Sequence, residues 1–444
     1  MAGRSSLLRD GTGRARTRLR PGYTLVVLAL VYVVAYLDRQ ILAILLPPIK
    51  QEFALSDTEL GLLAGPTFAL FYATLGVPLA RLADRFNRRN IIAAALALFS
   101  LATLACAAAR SFVQLLLARV AAGVGEAGTG PAAQAMISDL YPPEARARAQ
   151  AIYATGLNLG LMLAFFFGGM IAETHGWRAA FLVAGAPGLA LAPLILIGLA
   201  EPKRGASEAR ADASAMPTSL QGAKFLWSQR AYRLIVSGTV MSAFAGYGIL
   251  AFVPSFLVRS HNLALTDIGS FLAVVLGIGG GLATFLAGVM ADRLAKRDIR
   301  WNMYVPALAV LFSLPFWPVF FFASETAIAL LGAIVPASLA SVYIGPCAAM
   351  LQGLAPLRLR AFAASLQLFF ANLIGLGLGP LAIGLASDLL RPQLGEASLR
   401  YALLIGVIPA LLSALCYWRA AATLGYELAR AKSFEAAAAA PAPS

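Results

Sequence analysis

The sequence is short of charge: only 13% of its 444 residues are Asp, Glu, Lys or Arg, against about 25% in an ordinary soluble domain. Histidine occurs twice, at His175 and His261, each at the end of an apolar run. Cysteine occurs three times, at Cys106, Cys347 and Cys416, without ligand-like spacing. A disulfide framework and a zinc site are therefore excluded. None of the five lysines follows a glycine. The phosphate loop ending GK[ST] cannot be written, which excludes ATP-driven pumping by this chain alone. HExxH, CxxC and GxSxG are absent as well. Neither a catalytic role nor a metal or cofactor is expected. What fills the chain instead is apolar: 60% of residues, with a mean hydropathy of +0.77. Those values exclude disorder over most of the length and point to a polytopic membrane protein.

A helix needs about 20 apolar residues to cross a hydrocarbon core of roughly 30 Å. Such runs fall at 23–46, 59–83, 90–108, 112–140, 147–174 and 178–199, then at 232–258, 266–290, 301–323, 326–354, 361–387 and 399–420. The basic start leads into a full-length span, which does not read as a cleavable signal segment. The organisation expected is a basic tail (1–22), a six-helix bundle (23–199), a polar linker (200–229), a second bundle (230–422) and a tail (423–444). The end of that tail, AKSFEAAAAAPAPS, is compositionally biased and is expected to be disordered.

Lys and Arg are distributed unevenly about these spans. Of the 35, the termini and even-numbered loops hold 27, and the opposite loops hold 6. The positive-inside rule places both termini in the cytoplasm. The net charge of +14 is thus a topology signal; no basic module stands apart from the spans, as a nucleic-acid partner would require.

The halves resemble each other. ARLADRFNRR (80–89) follows the second span and GVMADRLAKR (288–297) follows the eighth, with Asp84 and Asp292 208 positions apart. Arg146, Arg148 and Asn158 in the fifth span are matched by Arg358, Arg360 and Asn372 in the eleventh. Repeated six-helix halves with a midplane site between them describe a class of secondary transporter.

The stretch ARLADRFNRRNII (80–92) resembles the cytoplasmic-loop signature of the major facilitator superfamily, with Ala80 and Asn87 where that pattern prefers glycine. Two further segments, YLDRQ (36–40) and GVGEA (123–127), resemble the Spinster-like branch. The resemblance implies an all-α membrane protein of twelve transmembrane helices, the major facilitator fold, in two pseudo-symmetric six-helix bundles. It also implies a conformational latch made of Asp84, Arg85, Arg88, Arg89, Asp139, Asp292 and Arg293. In it Asp84 faces a helix N-terminus of the other half, and Arg88 pairs with Asp139. Members of the branch move lysophospholipids and sphingolipids such as sphingosine-1-phosphate.

Charge inside the spans is expensive, at least about 2.5–3.5 kcal/mol per group at the bilayer centre. Four such groups are present: Asp38 and Arg39 in the first span, Arg119 and Glu126 in the fourth. Arg119 and Glu126 are two turns apart and face the same way. An inert ion-pair network would hold the spans together, but apolar packing would serve stability as well or better. With no histidine inside a span, the carboxylates Asp38 and Glu126 are the candidates for proton coupling, with Arg39 and Arg119 as switchable partners or headgroup ligands. The resemblance implies the same role for the matching Asp and Glu.

Spans seven to twelve carry no charge away from their ends. A cavity between the halves is therefore expected to be charged on one wall and apolar-aromatic on the other. Candidate liners are Tyr36, Tyr153 and Asn158 in the first half and Phe244, Tyr247, Phe252, Tyr343, Phe369, Phe370 and Asn372 in the second. This asymmetry suits an amphiphile with an ionic head. The expectation is a proton-coupled secondary-active transporter of a lysophospholipid-like or sphingosine-1-phosphate-like substrate, working by alternating access in a bacterial inner membrane. The expected partners are a lipid-like small molecule, protons and the lipid bilayer, and the two bundles suffice for a monomer. The alternative keeps the fold and moves a small organic anion or hydrophobic drug.

Overall fold

The computed structural model describes residues 21–202, 219–356 and 359–439, and every regular element among them is a helix. The basic tail up to residue 20, linker residues 203–218, Arg358 and residues 440–444 lie outside the described residues, as does the side chain of Asp84. The first span is Pro21–Phe53. The second is Asp57–Ala64 and Pro66–Arg85, the third Arg88–Ala108, and the fourth Phe112–Glu126 and Thr129–Leu140. The fifth and sixth run on as Pro143–Gly198. After a short helix, Ser219–Ser228, comes the seventh span, Arg230–His261. The eighth comprises Leu265–Leu272, Ala273–Gly279 and Gly280–Ala295, and the ninth Trp301–Ser313 and Phe316–Phe322. The tenth is Thr326–Leu339 and Ile344–Leu354. The eleventh comprises Arg360–Phe370, Ala371–Leu376 and Gly377–Leu394, and the twelfth Ser398–Ile405 and Val407–Ala439.

Eight helical stretches are long and apolar enough to cross a membrane, two of them, of 55 and 70 residues, long enough to cross twice. Breaks at Gly65 and at Ala127–Gly128 divide the remaining two spans. Between the fifth and sixth spans Gly176 alone makes the turn, at a φ of 81° that a side chain would resist. One expectation is corrected. The alanine-rich tail is helical through Ala439. Alanine is the strongest helix former, and the first proline, Pro441, comes only afterwards.

Acidic side chains finish several helix starts. Glu201 accepts from the backbone N–H groups of Arg88 and Arg89 (3.1 and 3.0 Å), and Glu427 from those of Arg230 and Ala231 (2.9 and 2.8 Å). Such carboxylates satisfy orphan donors and complement the helix dipole. Ser56 and Glu59 form a reciprocal capping box at the start of the second span. Two segments wind more widely than an α-helix, Ala273–Gly279 in the eighth span and Ala371–Leu376 in the eleventh.

One apolar core fills the first bundle around Leu28, Leu96 and Met136, and another fills the second around Tyr232, Leu351 and Tyr417. A third joins both bundles, from Ile44 and Phe165 to Phe252 and Phe256. It lies toward the face opposite the chain ends, called here the far side. Outward-facing Val26, Leu117, Ile197, Phe285, Leu331 and Leu389 remain exposed, as a lipid-facing surface requires.

Polar ties between the bundles reinforce the far side. Asp57, at the start of the second span, accepts from Arg259 of the seventh (2.9 and 2.5 Å), Lys50 of the first (2.5 Å) and Ser387 of the eleventh (2.7 Å). Asp388 of the eleventh span accepts from the N–H groups of Asp57 and Thr58 (3.1 and 2.7 Å). Glu173 of the fifth accepts from the N–H of Leu265, at the start of the eighth (2.9 Å). Backbones come close enough that a methyl group on Gly384 would collide with the carbonyl oxygen of Asp57.

Candidate functional site

Asp38, Arg39 and Gln40 sit mid-helix in the first span, and all three are buried. Arg39 forms a buried ion pair with Glu126 of the fourth span. Glu126 is the last residue of its helical segment: the Gly-rich run GVGEAGTG loosens the helix there, and the Glu126 carbonyl accepts from the Thr129 hydroxyl (2.9 Å). Three rings surround the Arg39 guanidinium, those of Tyr36, Phe68 and Tyr72, with centroids at 4.9, 5.2 and 4.6 Å. Such cation–π contacts reach about 2 kcal/mol when desolvated. They hold the cation independently of its carboxylate partner.

The other two charged groups do not form the second pair that the composition allowed. Asp38 accepts from the Thr103 hydroxyl (3.2 Å), and its other oxygen is buried without a donor among the described residues. Arg119 lies against the Phe68 ring (5.1 Å) and forms no ion pair among the described residues; its Nε has no acceptor there. Two polar side chains thus hold unused hydrogen-bonding capacity in a dry interior. Leaving such groups unsatisfied costs about 1–3 kcal/mol each, and more for charged ones.

Arg39 and Arg119 line a small chamber with Gln40, Phe68, Tyr247 and Leu376. Its free volume of about 20 Å³ is close to that needed for one water. Beside it lies a cavity of about 210 Å³ that extends into the second bundle. Gln40, Tyr247 and Leu250 line both spaces. The larger one is walled mostly by apolar residues of the seventh to tenth spans, among them Val253, Leu276, Val310 and Ala333.

Of the aromatic and polar liners expected from sequence, Tyr36, Tyr247 and Tyr343 line this cavity. The others sit elsewhere. Tyr153 is buried and stacks on Tyr32 (4.5 Å). Phe252 is fully buried, on the face it shares one turn away with Phe256 in the joint core. Phe369 packs edge-on against Phe370 (5.5 Å), and Asn372 donates to the Leu368 carbonyl (2.9 Å). Phe244 lies where the seventh span meets Gly379 of the eleventh, and Asn158 faces Gly281 of the eighth. Thr103, Phe68, Tyr72 and Gln40 were not among the sequence candidates. Gln40 stands inside the YLDRQ motif; the other three carry no signal beyond polarity or aromaticity in an apolar run.

On the side of the chain ends, Arg88 forms an ion pair with Asp139, and Arg89 donates to the Leu199 carbonyl (3.1 Å). Arg85, Asp292 and Arg293 are exposed. At the far-side boundary, beyond the 59–83 apolar stretch, burial alone would raise the Asp57 carboxyl. The bonds and charge of Arg259, with Lys50 and Ser387, outweigh it and hold the group well below the usual carboxylate range.

Residues 28–380 match the profile of the Major Facilitator Superfamily. The chain is 33% identical over 398 residues to an MFS-type efflux pump of Mycolicibacterium smegmatis, covering 89% of this chain and 91% of that one. It is 30% identical over 412 residues to protein spinster homolog 1 of Homo sapiens, covering 84% and 75%. The solved structure of a bacterial homolog to the human lysosomal transporter Spinster, inward-facing and unoccupied, superposes with a TM-score of 0.82 at 27% identity, covering 92% and 98%. A buried charged centre in the first bundle, an uncharged cavity in the second and relatives spanning nearly the whole chain agree: this is an integral membrane transporter of the Major Facilitator Superfamily, of the Spinster-like kind.

Proposed function

We propose that the chain is a proton-coupled secondary-active transporter that moves an amphipathic, lipid-like molecule with an anionic head by alternating access. The observation that carries this reading is the shared wall of Gln40, Tyr247 and Leu250. It sets a chamber lined by two arginines directly beside an apolar cavity, as a head and a tail in one molecule require. Arg39 and Arg119 would take the head once the chamber, water-sized in this state, widens as the bundles rock, and the second-bundle cavity would take the tail.

Coupling follows from competition for Arg39. While Glu126 is ionised, its carboxylate occupies the guanidinium. A proton on Glu126 removes that partner and frees Arg39 for an anionic head, while the three rings keep the cation in place. Asp38, with a hydroxyl partner only, gains a proton without breaking an ion pair. The bundles at 23–199 and 230–422 would rock about this centre, with both termini cytoplasmic in an inner membrane. The sealed far side corresponds to one end state of that motion, and the Arg88–Asp139 pair belongs to the latch on the other side.

The test is transport in proteoliposomes under an imposed pH gradient, with lysolipids of differing head charge. Gradient-driven movement of anionic lysolipids supports the proposal; movement indifferent to the gradient overturns the coupling. Kinship with an MFS-type efflux pump favours a second reading, a small organic anion or hydrophobic drug as cargo. Thermal stabilisation by aromatic carboxylates but not by lysolipids would select it.

A further inference from the structure

We propose that Trp317 is the residue that sets the length of the substrate's tail, an inference that rests on the lipid reading above. The cavity shared with the arginine chamber runs along the ninth span from Pro306 to Phe320. That is on the order of 20 Å at the helical rise per residue. It meets the arginine chamber at Gln40 and Tyr247, which stand mid-helix in the first and seventh spans, so a tail leaving the charged centre has only part of that length before the far-side end. Its far-side end is closed by aromatic rings: Trp317 and Phe320 line it, and behind them lie Phe321 and Phe256.

These rings form a rigid floor. Trp317 stacks on Phe321 (5.4 Å, 20° between planes), and Phe256 meets Phe320 and Phe321 edge-on (5.3 and 5.6 Å). Phe256, Phe320 and Phe321 are fully buried. Close-packed aromatic cores yield little to an intruding methylene, because overpacking is itself destabilising. A tail anchored by its head at the arginines therefore has a fixed depth to fill. One that is too short leaves apolar wall uncovered, and one that is too long must displace packed rings.

The experiment measures uptake into proteoliposomes of saturated lysophosphatidic acids of stepwise increasing chain length, for the wild type, Trp317→Ala, Trp317→Phe and Ala333→Leu. Ala333 lines the same end of the cavity. Trp317→Ala is expected to move the optimum to longer tails, with preference shifted by about tenfold for two further methylenes. Trp317→Phe keeps the wild-type ranking, and Ala333→Leu moves the optimum to shorter tails. If the wild type is length-selective and neither Trp317→Ala nor Ala333→Leu changes the ranking, the assignment of Trp317 is overturned while the lipid reading stands. If the wild type moves no lysophosphatidic acid of any length, the lipid reading itself fails. Should Trp317→Ala not fold, Ala333→Leu decides alone, since it adds bulk at the same end without hollowing the floor.

Discussion

Glu173 and Asp388 perform the same task at corresponding places in the two halves. Glu173, near the far-side end of the fifth span, caps the start of the eighth through the Leu265 N–H (2.9 Å). Asp388, near the far-side end of the eleventh, caps the start of the second through Asp57 and Thr58 (3.1 and 2.7 Å). Each carboxylate reaches from one bundle to a helix N-terminus of the other, so the bundles cannot part on this face without uncapping both helices.

Replacing both, as Glu173→Ala with Asp388→Ala, is expected to favour separation on the far side. A lost cap costs about 1 kcal/mol, roughly a fivefold change in a two-state ratio, and two caps compound. Spin-label distances across the far side should lengthen in population; an unchanged distribution would rule out the role.

Glu126→Gln removes the carboxylate that competes for Arg39, and Asp38→Asn removes the one held by Thr103. Each variant is expected to lose gradient-driven uptake while still exchanging substrate across the membrane without a gradient. Retained uptake in both would sink the coupling proposal.

Arg39→Lys is not a conservative change. It removes the planar fork that meets Glu126 and the flat cation held among Tyr36, Phe68 and Tyr72. Binding of an anionic lysolipid, read by thermal shift or calorimetry, is expected to weaken about tenfold or more, corresponding to the lost cation–π contact of roughly 2 kcal/mol. A neutral lysolipid should be affected far less.

Asp57 makes a statement about pH. Its carboxyl is depressed in the folded protein, so its stabilising contribution is complete above the ordinary carboxylate pKa and disappears only as pH falls through the depressed value. The far-side tie is therefore constant from mildly acidic to neutral buffer. Asp57→Asn should lower thermal stability and loosen the far side at neutral pH. Breaking a fully buried pair costs about 3–5 kcal/mol, and less is expected here because Lys50 and Arg259 are each 17% exposed. The pH dependence of transport should survive this change; its loss would move the proton switch from the charged centre to the far side.

Gly384→Ala forces a methyl group onto the Asp57 carbonyl, whereas Gly288→Ala meets nothing within 4 Å. The first is expected to separate the second and eleventh spans and lower thermal stability. The second should be neutral. Equal behaviour of the two would show that the close approach is not needed.

The twelve spans were legible because crossing a membrane imposes a length and a polarity that composition displays directly. The charged centre was legible for the same reason: Asp38, Arg39, Arg119 and Glu126 stand out wherever charge is costly. Their pairing was not. Two carboxylates and two guanidinium groups allow several arrangements, and only packing decides that Arg39 takes Glu126 while Asp38 is left to Thr103. Aromatic liners were legible only in part, since a phenylalanine reads alike whether it faces a cavity, as Phe320 does, or a core, as Phe252 does. The alanine-rich tail misled because compositional bias marks low complexity, while alanine itself favours helix.

The widened turns at Ala273–Gly279 and Ala371–Leu376 both belong to the second bundle, in the eighth and eleventh spans that face the fifth and second. Among the described residues the first bundle has no such segment. A turn of this kind relaxes the regular ladder of a helix and lets its two ends swivel separately. The two halves thus relax in different ways: the one that carries the ionisable centre breaks its helices at Gly65 and Ala127–Gly128, and the other keeps them continuous through widened turns that can bend around whatever fills it.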